Sequence, residues 1–111
     1  METLTQLLER SRGEIEAHWT DPGDASHPHF LQRGADLLAS VRLWVQDKSA
    51  SDETVREILR FADVAALQLA AADLENNGTD DGRVASYLIT GILNAPQQEF
   101  SMIVGYSLMA F

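Results

Sequence analysis

A chain of 111 residues makes one domain with a modest core. Seventeen acids face eight bases for a net charge of −9, and hydrophobic residues make up 45%, so the chain can fold but offers no basic stripe for nucleic-acid phosphates or an anionic membrane. Cysteine is absent, which excludes disulfides, thiolate catalysis and cysteine-ligated metals.

The first helix is predicted to start at Thr3, because Gln6 three residues on completes a capping-box spacing. Leu4, Leu7, Leu8, Ile15 and Trp19 fall on one side of it, Gly13 weakens it, and the Asp-Pro-Gly-Asp run at 21–24 ends it. The second helix starts at His27 and Pro28, with proline in its favoured first turn, and runs to about Lys48. Phe30, Leu37 and Trp44 recur every seven residues beside a parallel row of Leu31, Leu38 and Val45. With Gly34 and Val41 these fill an arc of about 140°, wide enough to touch two neighbours. Leu43 lies on the other side and is expected to be exposed in an isolated monomer.

The third helix is predicted as one long element over 52–76, with Ser51 as N-cap and Asp52 and Glu53 at the positive end of the dipole. Val55, Ile58, Leu59, Ala62, Ala65, Ala66 and Leu69 make its stripe. From Phe61 onward Val64, Leu67, Ala71 and Leu74 lie off that stripe, so the helix is apolar nearly all round. Such a helix is buried, as the centre of the domain or in a subunit interface. Asp63 can pair with Arg60 one turn back, and Asp73 lies near the helix end. A loop over 75–82 leads to a fourth helix ending at about Asn94, with Val84, Leu88, Ile89, Ile92 and Leu93 as its apolar residues; Ala95 and Pro96 break it. The run 100–111 is apolar enough for either helix or strand, and it is taken as helix because no other segment reads as a partner strand. Its apolar end at Phe111 is expected to be buried, to dock on a second subunit or to have been cut from a longer chain. The fold expected is therefore all-α, a small bundle of four to five helices, dimeric through the third helix or the C-terminal segment.

Candidate chemistry is thin. Asp21, Asp24, His27 and His29 are legitimate zinc ligands within nine residues, but a solvated turn explains them as well and no metal is expected. Residues 73–78 open like a calcium loop, with Asp73, Glu75, Asn77 and Gly78 at its first, third, fifth and sixth positions. Val84 then stands where a bidentate glutamate is required, so this is read as a helix end with Gly78 as a left-handed cap. Glu14 could orient His18 four residues on, but no nucleophile stands beside them. No G-x-S-x-G, H-E-x-x-H or Walker pattern occurs either. No enzyme activity and no cofactor are expected. The N-terminus has neither a basic n-region nor an apolar h-region, and no apolar run reaches the roughly 20 residues of a membrane span, so the expected location is cytoplasmic.

What remains is protein binding: a small acidic regulator that inhibits or sequesters a partner protein. The residues expected at the partner or dimer contact are Leu43, Phe61, Val64, Leu67, Ala71 and Leu74, together with Phe100, Ile103, Val104, Tyr106, Met109 and Phe111. In its short length, its pair of long central helices at 28–48 and 52–76, and its acidic, cysteine-free composition, the chain resembles the small all-helical bacterial antiactivators of LuxR-type quorum-sensing transcription factors. That resemblance implies a transcription factor as target and a dimer, and assigns no residue a role. The alternatives are a nucleic-acid mimic of the anti-restriction or anti-CRISPR type, an immunity or antitoxin-like protein that caps a basic toxin, and, last, a ligand-binding bundle using the His27/His29 loop.

Overall fold

The computed structural model describes residues 1–18 and 27–111, His27 by its backbone alone; Trp19, Asp21 and Asp24 lie outside them. The described residues form six helices and no strand: α1 (Leu4–His18), α2 (His27–Asp47), α3 (Asp52–Arg60), α4 (Val64–Asn76), α5 (Asp80–Leu93) and α6 (Gln97–Leu108). None of these is long and apolar enough to cross a membrane. The capping box at the head of α1 is formed: Thr3 N–H donates to Gln6 Oε1 at 2.8 Å, and Gln6 N–H donates to Thr3 Oγ1 at 3.2 Å.

The central helix is α2, not the predicted third helix. It packs against all five others, and every residue from Gly34 to Val45 is buried. Leu43, expected to be exposed, is therefore in the core at 6% exposure. Its far side is closed by the N-terminal segment, which Gln46 ties down through Glu2 N–H (3.1 Å) and Glu2 C=O (2.9 Å).

The predicted third helix is two. At 61–63 the chain leaves the helix, with Ala62 at φ 46° and Asp63 extended. Asp63 Oδ1 accepts a 3.0 Å bond from Ala66 N–H, so this carboxylate caps α4 rather than pairing with Arg60. Ser51 holds the N-cap position of α3 without a side-chain bond. The break re-aims the apolar faces. Val55 and Leu59 of α3 point inward as predicted, but on α4 the inward residues are Leu67, Ala70, Ala71 and Leu74, while Ala65 and Leu69 point out.

α4 and α5 form a hairpin across Gly78, whose φ of 79° is the left-handed cap read from the sequence. Thr79 Oγ1 caps α5 by accepting from Gly82 N–H at 2.9 Å, and Ser86 Oγ donates to the Ala71 carbonyl at 2.7 Å, which sets the register of the two helices. The C-terminal run is helical, and Phe100, Ile103, Val104 and Tyr106 of α6 enter the core. α6 lies so close to α2 that a Cβ on Gly34 would stand 2.9 Å from Tyr106 Cβ.

Candidate interaction surface

The fold sorts the predicted contact residues into two groups. Leu43, Leu67, Ala71, Leu74, Phe100, Ile103, Val104 and Tyr106 are buried in the protein's own core, and Met109 is partly buried against it. They hold one chain together, so they are not free to meet a partner. Phe61 (72% exposed), Val64 (45%) and Phe111 (40%) remain at the surface.

The candidate chemical groups are absorbed by the fold. Glu14 is held by Arg10 and Arg42, and His18 Nδ1 lies 2.9 Å from the Glu14 backbone carbonyl, so that carboxylate does not orient the imidazole. Asp73, the first residue of the calcium-like run, accepts from Trp44 Nε1 at 3.0 Å and pairs with Lys48 at 3.1 Å. The Trp44 bond and then the Lys48 ammonium hold its carboxyl below the usual range. His29 faces Glu99 at 3.2 Å. The other members of the histidine loop, Asp21, Asp24 and the His27 side chain, lie outside the described residues. Among those described, no group of three or more metal-ligating acids and histidines converges.

Acidic side chains on α1 and α3 are largely engaged in pairs. Arg10 bridges Glu2 and Glu14, Arg12 bonds Glu16, Arg42 bridges Glu14 and Asp52, and Arg56 bonds Glu53. The Arg10 guanidinium, bonded to Glu2, holds that carboxyl below its ordinary range. An unbroken row of free carboxylates imitating a phosphate backbone is not what these helices present.

The outer side of the α4–α5 hairpin differs from the rest. On α4 the exposed residues Val64, Ala65, Gln68, Leu69 and Ala72 carry no charge, and on α5 neither do Val84, Tyr87, Thr90 and Gly91. Leu69 is 54% exposed and Tyr87 78%. The surface continues onto α6 through a groove of about 130 Å³, which Val64 and Gln68 share with Leu93, Asn94, Ala95, Gln97 and Phe100. No charged side chain lines it, whereas four other clefts on the protein each include at least one. Asp63 borders the face at one end of α4, and the Asp73–Lys48 pair lies toward the other.

Leu69, Tyr87 and the groove were not anticipated as contact residues. Their signal in the sequence is missing charge rather than surplus apolarity. Residues 64–72 and 84–98 contain no charged side chain, and Glu99 is the single charge in 84–111 of a chain that is 23% charged. No protein-family model, curated protein or solved structure matches this chain, so no relative carries a residue role over to it.

Proposed function

We propose that this protein acts by binding another protein, and that the uncharged α4–α5 face, extended through the groove to α6, is where the partner docks. The observation that carries this reading is the segregation of charge. A chain of net charge −9 leaves one continuous exposed face without a charged side chain and places Leu69 and Tyr87 on it. Interface cores are marked by depletion of charge and by aromatic anchors more than by bulk hydrophobicity. The acidic remainder keeps the protein soluble and repels nucleic acid. Sequestration of a regulator is the mode that suits such a molecule, and the LuxR-type transcription factors implied by the resemblance are the first partners to test.

The test uses a purified LuxR-type regulator, its DNA site and the variants Leu69→Asp and Tyr87→Asp. Both positions are exposed, so both variants should keep the wild-type helical signal and thermal midpoint. Both should weaken binding about tenfold or more and restore the regulator's DNA shift. If binding ignores both substitutions but is abolished by neutralising the exposed acids Glu9 and Glu57, the contact is the acidic surface and the proposal fails.

A further inference from the structure

We infer that the uncharged face also takes a second copy of this chain, α4 against α4 across a two-fold axis, so that self-association and partner binding exclude one another. The inference rests on the face proposed above and adds its occupant when no partner is present.

Charge selects the occupant. Two copies that each carry −9 repel wherever their acidic surfaces meet, so they can associate only where charge is missing. A basic partner would be drawn instead to α1 and α3 and would gain nothing on the α4–α5 side. An uncharged face suits an uncharged face, and this chain supplies one.

The sequence of α4 is self-complementary in shape. Leu69 projects at 54% exposure, and on the same exposed side it is flanked by Ala65 one turn before and Ala72 one turn after. Each large side chain therefore stands between two shallow positions on its own helix. In an isologous contact the same patch serves both sides, so residue i meets j while j meets i. With the two α4 helices antiparallel, Leu69 of one copy lies over the shallow positions of the other. Alanines there let the axes come within about 8 Å, the close limit for packed helices. Antiparallel pairing also sets the two helix dipoles in opposition. Tyr87 and Val84 on α5 would widen the contact on either side.

The absence of native cysteine gives a clean test. Sedimentation velocity over a range of concentrations should show wild type passing from monomer to dimer, with Leu69→Asp monomeric and unchanged in helical signal. Gln68→Cys, beside the proposed axis, should form a disulfide-linked dimer under mild oxidation, whereas the exposed control Glu9→Cys should not. The cross-link does not depend on Leu69→Asp folding. A wild-type chain that stays monomeric to about 1 mM, the scale of a very weak complex, overturns the inference. So does a dimer that survives Leu69→Asp, or one that cross-links as readily at Glu9→Cys as at Gln68→Cys. Each of these results leaves the partner-binding proposal standing, because that proposal is judged by the regulator's binding to the same variants. If both hold, raising the regulator's concentration should release monomer from the dimer.

Discussion

Arg42 is the most heavily engaged side chain described. It is 3% exposed and uses all its donors: to Ser11 Oγ at 3.0 Å, to Glu14 at 3.1 and 3.0 Å, and to Asp52 at 3.1 and 2.9 Å. One guanidinium thus ties α1, α2 and the first turn of α3 together, and it also lies 5.6 Å from the Phe111 ring. Arg42→Met should lower stability in urea by about 3 kcal/mol, the low end for breaking a buried pair, because Glu14 and Asp52 can turn to solvent once released. Arg42→Lys should recover little, since a point charge cannot fork to two carboxylates. Asp36 is a different case. It is 8% exposed, and burial pushes its carboxyl above the ordinary range, partly offset by the Gln32 bond and the Arg33 charge. Between the ordinary and the raised value the folded chain holds the extra proton, so stability falls as pH rises through that window and stays lower above it. Asp36→Asn keeps an acceptor for Gln32 and should therefore raise the urea midpoint at neutral pH, with the gain shrinking as pH falls toward the ordinary carboxylate range. A gain that does not change with pH would sink this account. Neither residue stood out in the sequence, because the partners of Arg42 are 28 and 10 residues away and a lone Asp in an amphipathic helix reads as surface.

At the scale of elements, most of the helices were legible and one boundary was not. The capping box at Thr3, the start of α2 at His27 and Pro28, the left-handed Gly78 and the helical C-terminal run all follow from local signals, and local signals act within a turn. The break at 61–63 was missed because it contains neither Gly nor Pro. Its only mark is Asp63, which reads equally as an i−3 partner of Arg60 or as a cap. The consequence was large, since running one helix through the break put Leu69 on the inner stripe and Leu67 off it. The two readings of Asp63 make opposite predictions. If the carboxylate caps α4, Asp63→Asn should be nearly neutral, because asparagine caps as well, while Asp63→Ala should cost about 1 kcal/mol in urea unfolding. If it paired with Arg60, both substitutions would lose the same interaction and Arg60→Ala would match them.

Across the whole molecule, the sequence already holds the contrast that the fold turns into a surface. The acids and bases crowd the first 83 residues, while 84–111 carries only Glu99. That contrast was read as bulk acidity, because composition averages along the chain and cannot say that α4 and α5 set their uncharged sides next to each other. The buried residues chosen as contacts were misassigned for a related reason: a surplus of apolar residues looks the same whether it fills a six-helix core around α2 or waits for a partner. The segregation also fixes how ionic strength should act. At about 0.01 M salt the screening length is about 30 Å, so the acidic surfaces of two copies repel across the whole contact; at about 0.15 M it shortens to about 8 Å. An apolar contact made between two −9 chains should therefore tighten as salt is raised over that range. Sedimentation or light scattering at fixed protein concentration should show the dimer fraction rising. Contact through the acidic helices with a basic protein would do the reverse, weakening steeply over the same range. The sign of the salt dependence thus separates the uncharged face from the acidic one without knowledge of a single interface residue.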